Sequence, residues 1–185
     1  MKKIAKRAMA LTMAAAVAAP AFQLSGVGTL EAKAVNSIDR VMVHDPSIFQ
    51  YGDDYYVFGS HIATAKSSDL VNWKQVSSDY QDPSGNTIYG NLKENLAESF
   101  KWAGYDDGDC SGGNYAVWAP DVIYNPNYVW KDGHKGAYML YYSASSTWRR
   151  SCIGYMVSDR ADGGYEYGGT VVYSGFTNTG KVNYD

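Results

Sequence analysis

Two short stretches place an aspartate where its carboxylate could do acid–base work. The first is Val43-His44-Asp45-Pro46-Ser47-Ile48. Proline fixes its own φ near about −65°, so an Asp-Pro step holds the aspartate at a defined angle at the mouth of a strand. The second is Trp118-Ala119-Pro120-Asp121-Val122-Ile123-Tyr124, which opens a second run of strand-like sequence. A carboxylate can move a proton, and an indole beside it offers an apolar face to a sugar ring. The plainer readings stand next to these. Asp45 could bond nearby backbone N–H groups in a turn, and Trp118 with Asp121 could be core and scaffold.

The elements that must position these residues are strands. Ser47–Tyr51 alternates and meets the turn signal Gly52-Asp53-Asp54, and Tyr55–Gly59 follows as a run of aromatic and β-branched residues. Together they predict a hairpin. Thr64–Ser67 and Trp73–Ser77 predict two further strands. The plan then recurs, with Val122–Tyr124, Ala137–Ser143, Ile153–Ser158 and Tyr165–Tyr173, the last broken by Gly168-Gly169. Tyr55-Tyr56-Val57-Phe58-Gly59-Ser60 resembles Tyr138-Met139-Leu140-Tyr141-Tyr142-Ser143, and this reading sets Asp121 at the place in the repeat that Asp45 holds. Four short antiparallel strands, repeated, describe the blades of a β-propeller, with a two-sheet sandwich as the other solution. Two blades do not close a ring, so the chain is expected to be a fragment.

Ser78–Val117 separates the repeats. Leu92, Leu96 and Phe100 fall on one helical stripe, Asn91 can cap it with Glu94 three residues on, and Gly104 can end it in the left-handed conformation. The acidic Asp106-Asp107-Gly108-Asp109 lacks the spacing of a calcium loop and reads as solvated.

The N-terminus reads as an export signal, residues 1–34. Lys2, Lys3, Lys6 and Arg7 precede an alanine-rich apolar stretch, Ala8–Phe22, and Ala32-Lys33-Ala34 suits signal peptidase. The stretch is short for a membrane span of about 30 Å. Five of the 16 basic residues and one of the 19 acidic ones fall in that segment, which leaves residues 35–185 strongly acidic. Such a surface is ill suited to nucleic acid, whose phosphates need neutralising. All 17 tyrosines and 5 tryptophans lie beyond the signal. Export permits a disulfide, and Cys110–Cys152 is the one intramolecular pairing the 2 cysteines allow. Two cysteines and no histidine at ligand spacing give no metal site.

The motifs in order resemble glycoside hydrolase family 43. They are His44-Asp45-Pro46-Ser47, then Tyr55–His61, Ser67-Ser68-Asp69-Leu70-Val71-Asn72-Trp73, Trp118-Ala119-Pro120-Asp121-Val122, Tyr141-Tyr142-Ser143 and Ile153-Gly154-Tyr155. The wording is most similar to the secreted arabinan endo-1,5-α-L-arabinosidases. The resemblance implies an all-β, five-bladed β-propeller, of which residues 35–185 hold about the first two blades. It implies inverting hydrolysis of α-1,5-arabinan, with Asp45 as general base and a carboxyl partner roughly 6.5–9.5 Å away. Trp118 would line the sugar site, Asp121 would organise the pocket, and His44, His61, Ser143 and Trp148 would line the cleft. The family's general acid and its pKa-adjusting aspartate have no matching motif here, so the chain alone is expected to be inactive. The chemistry requires no cofactor, and a Ca2+ in the complete propeller would take ligands outside this chain. The partner is a polysaccharide, arabinan or arabinoxylan, met outside the cell without stable membrane association. Other readings are an exo-acting arabinofuranosidase or β-xylosidase, a non-catalytic carbohydrate-binding propeller, and a structural exported β-protein.

Overall fold

In the computed structural model, the described residues are 39–78, 85–105, 108, 110, 115–147 and 150–175. They belong to a compact unit, Asn36–Asp185. The proposed signal segment and Trp148 lie outside the described residues, as do Asp106, Asp107 and Asp109.

Two four-stranded antiparallel sheets form, each a simple meander. The first holds β1 (Ser47–Tyr51), β2 (Asp54–Phe58), β3 (Thr64–Ser67) and β4 (Lys74–Ser77). The second holds β5 (Val117–Val129), β6 (Lys135–Thr147), β7 (Arg150–Ser158) and β8 (Glu166–Gly175). All eight predicted strands are present. Those of the second sheet are longer than their apolar runs, and β5 begins at Val117, so the whole Trp118–Tyr124 motif lies within a strand. Pro120 is tolerated there because the ladder is interrupted between Trp118 and Asp121.

The register corrects one sequence reading. Phe58 faces Ser47 across the first hairpin, and its counterpart in the repeat, Tyr141, faces Asp121 across the second. The counterpart of Asp121 is therefore Ser47. The counterpart of Asp45 is Ala119, and both have positive φ, 49° and 42°.

Alternation explains what each sheet buries. Tyr56 and Phe58 point inward from β2, and Leu140, Tyr142 and Met156 do so from β6 and β7. Tyr138 joins the sheets, taking the rings of Phe49 and Tyr51 edge-on at 5.7 and 5.3 Å. Gly168 and Gly169 lie within β8 for a steric reason: a Cβ at Gly168 would collide with the ring of Tyr155.

The segment between the sheets supplies the rest of the core. Asn91 caps it, its side chain accepting from Lys93 N–H. The expected single helix is two, α1 (Leu92–Asn95) and α2 (Ala97–Ala103), divided at Leu96 with φ −105° and ψ −6°. Asn95 at this break donates its side-chain amide to the carbonyls of Tyr89 (2.7 Å) and Tyr165 (2.8 Å), tying the segment to the start of β8. The Leu92–Leu96–Phe100 stripe survives the break and is buried against the sheets. Each such side chain contributes about 1.5–3 kcal/mol by leaving water. Gly104 ends α2 at φ 83° but ψ −176°, so φ is positive as expected while ψ is extended rather than left-handed helical.

One face of the first sheet is uncovered. Val41, Val43, Pro46, Ile48, Val57 and Trp73 line an open apolar hollow of about 410 Å³. This hollow holds none of the residues expected to do chemistry.

Candidate active site

The start of β1, the end of β2, the start of β5 and the end of β6 lie at one end of the two sheets. Backbone bonds fasten them together. Ser60 N–H donates to His44 O at 2.9 Å, and His61 N–H donates across the sheets to Val117 O at 2.8 Å. Gly59 lets the segment before β1 lie close, since a Cβ there would stand 2.5 Å from His44 O.

The backbone here is strained. Asp45, His61, Ile62 and Ala119 are four of the five non-glycine residues with positive φ among the described residues, at 49°, 58°, 61° and 42°. Each costs about 1–3 kcal/mol and persists because its surroundings over-determine it.

Asp45 stands at the mouth of β1 with its carboxylate 43% exposed. Its Oδ2 accepts from Ser60 Oγ at 2.8 Å and lies 3.1 Å from His44 Nδ1. The carboxylate is thus held by side chains, not by the local backbone N–H groups that a turn role requires. Among the described residues nothing bonds its Oδ1, which leaves that oxygen open to a water or a ligand.

Asp121 is engaged differently. Its Oδ1 accepts from Ser47 Oγ and from Val122 N–H at 3.0 Å. Since Ser47 lies two residues past Asp45, this bond braces the start of β1 against β5. Trp118 is half-buried, donates from Nε1 to Ser145 O at 3.2 Å, and meets the ring of His61 edge-on at 4.6 Å. Ser143 sits directly across from Trp118 on β6.

The fold therefore brings His44, Asp45, His61, Trp118, Asp121 and Ser143 to one end of the sheets. Cys110 and Cys152 are both buried and both free. Burial pushes the Cys152 thiol up, and its Sγ donates to Ser99 O at 3.5 Å. Among the described residues no three His, Cys, Asp or Glu side chains gather as a cation site. The sequence reading did not single out Ser60, Ser47 or Ala119. The repeat held a signal, because Ser60 is the counterpart of Ser143.

The described glutamates lie elsewhere. Glu94 and Glu98 are on α1 and α2, and Glu166 pairs with Val157 at the far end of the second sheet. The arrangement offers a partly exposed carboxylate oriented by a serine hydroxyl, at the same end of the sheets as the Trp118 indole.

The sequence pattern of Glycosyl hydrolases family 43 matches residues 34–181. An extracellular endo-α-(1→5)-L-arabinanase of Thermotoga petrophila is 38% identical over 135 residues, 72% of this chain and 25% of that protein. Extracellular endo-α-(1→5)-L-arabinanase 2 of Bacillus subtilis is 36% identical over 141 residues, 76% of this chain and 26% of that protein. The crystal structure of the Thermotoga petrophila endo-1,5-α-L-arabinanase superposes with a TM-score of 0.57 at 37% identity, covering 77% of this chain and 28% of the other. The chain thus spans about a quarter of the length of these relatives. Among the described residues no helix is long and apolar enough to cross a membrane. An all-β fold, the order of the motifs and the matched sequence agree: this chain belongs to glycosyl hydrolase family 43.

Proposed function

We propose that this chain carries the general-base half of an exported, inverting hydrolase that cuts α-1,5-linked arabinan internally. The observation that carries the reading is the Asp45 carboxylate, fixed through one oxygen by Ser60, with the other oxygen open. In this reading Asp45 takes a proton from a water as that water attacks the anomeric carbon from the face opposite the leaving group. Trp118 supplies a stacking face, and Asp121 holds the floor of the site rigid through Ser47. Extracellular arabinanases among the relatives support a polysaccharide substrate and export.

The sheets are read as two blades of a five-bladed propeller, with the end that carries Asp45 and Trp118 turned to its axis. The proton donor for the leaving oxygen is not assigned within these 185 residues. Glu94, Glu98 and Glu166 stand on α1, α2 and β8 rather than among the strand ends that carry Asp45, and general acid catalysis is worth about 10²–10⁴-fold. The chain alone therefore shows no useful turnover of debranched arabinan.

An activated aryl α-L-arabinofuranoside separates the two halves of the chemistry. A dinitrophenolate leaves without a proton, so this substrate tests the base alone. The wild-type chain hydrolyses it with inversion, and D45A lowers the rate by about 10²-fold or more. Equal rates for wild type and D45A refute the role of Asp45. Rapid arabinan hydrolysis by the 185-residue chain refutes the missing donor.

A further inference from the structure

Ser60 is 1% exposed, yet every polar group it owns near the site is engaged. Its hydroxyl donates to Asp45 Oδ2 at 2.8 Å and accepts from Ala119 N–H at 2.9 Å. Its own N–H donates to His44 O at 2.9 Å. A serine hydroxyl has one proton to give, and Ala119 N–H points at its lone pair. The proton is thereby directed at the carboxylate. The second contact of Asp45, the imidazole of His44, is 71% exposed and gives little orientation, as solvent-exposed pairs do.

Ala119 adds a further point. Its φ of 42° is unfavourable for a residue with a side chain, and its N–H finds its partner in Ser60. The strained backbone of β5 thus orients a hydroxyl that belongs to the first sheet. The register makes Ala119 the counterpart of Asp45, so the two strained positions of the repeat are joined through one serine.

We propose that Ser60 is the positioning residue for Asp45, its buried hydroxyl transmitting the placement of the second sheet to the carboxylate. Ser60 acts through Asp45 and does not touch the reacting atoms. The functional part of this proposal rests on reading Asp45 as the base, while the hydrogen-bond part does not.

The test uses the whole chain and S60A, which removes a hydroxyl without adding bulk. In chain labelled with 13Cγ-aspartate at neutral pH, S60A moves the Asp45 resonance beyond its line width and leaves Asp121 in place. Exchange of the Ala119 amide rises about fivefold, the value of one hydrogen bond. With the aryl arabinofuranoside, kcat falls about fivefold while KM holds, and S60A costs nothing further on a D45A background. An unmoved Asp45 resonance overturns the proposal. So do Asp45 and Asp121 moving together, which marks a loosened fold, and a kcat loss that is the same with and without Asp45. If D45A matches wild type on the aryl substrate, the base reading fails, and the resonances still decide the hydrogen bond.

Discussion

Gly59→Ala is the substitution through which fold and site can be tested together. The added methyl would stand 2.5 Å from His44 O, and ordinary contact begins near 3.4 Å. Val43 can rotate its methyl away, but His44 O is backbone. The segment entering β1 must therefore retreat by about 0.9 Å. Overpacking of this kind costs about 1–3 kcal/mol. The retreat also breaks the 2.9 Å bond from Ser60 N–H to His44 O, worth about 1 kcal/mol. The sum is about 2–4 kcal/mol, against a total stability of about 5–15 kcal/mol for a domain. Gly85→Ala is the control, because the same methyl meets open space there. Urea unfolding of wild type, G59A and G85A reads the difference. With a slope of about 2 kcal/mol per molar, G59A lowers the midpoint by about 1–2 M and G85A leaves it nearly unchanged. Asp45 sits next to His44, so G59A also slows aryl-arabinofuranoside hydrolysis. A G59A midpoint equal to that of G85A would refute the close approach on which the site is built.

Two further outcomes follow from the structure. Phe100→Ala empties the centre of the core, where the side chain is fully buried, and costs about 3–5 kcal/mol, read as a fall in thermal midpoint; a loss under about 1 kcal/mol would show that α2 does not pack as described. His134, at the far end of the second sheet, is held above the ordinary histidine value of 6.5, first by its hydrogen bond to Asp159 (2.9 Å) and then by Asp132 (2.6 Å). The folded state therefore binds this proton more tightly than the unfolded state. The contribution is complete below the unfolded value and is lost as pH rises through the folded one. Asp159→Asn lowers the titration midpoint of the His134 ring in NMR, and an unmoved midpoint refutes the pairing.

The architecture was largely legible in the sequence because it depends on local patterns. Alternation at Ser47–Tyr51 and Tyr55–Phe58, separated by Gly52-Asp53, leaves few choices but a hairpin, and the same signs recur for the second sheet. The stripe Leu92–Leu96–Phe100 was readable too, since burial of one helical face is written in spacing. The break at Leu96 was not. It coincides with Asn95 reaching the carbonyls of Tyr89 and Tyr165, and Tyr165 is 70 residues away in the chain. The length of β5 was hidden by Pro120, which reads as an interruption until the register shift around it is known.

The site divides in the same way. Asp45 and Trp118 stand out because their motifs are local: an Asp-Pro step at a strand entrance, and an indole just before Ala-Pro-Asp. Family membership also comes from the order of such motifs. Residue types and their spacing thus determined the strands, the repeat and the chemistry available. Which oxygen of Asp45 is held, and by what, was decided only when the sheets packed. Ser60 and Ala119 are 59 residues apart, and no local pattern records a bond between them. The equivalence of Asp45 with Ala119, not Asp121, likewise appears only in the pairing of strands. Hydrogen-bond direction and backbone strain depend on which groups meet through space, and that is settled by the burial of Phe58, Tyr142 and their neighbours in one core.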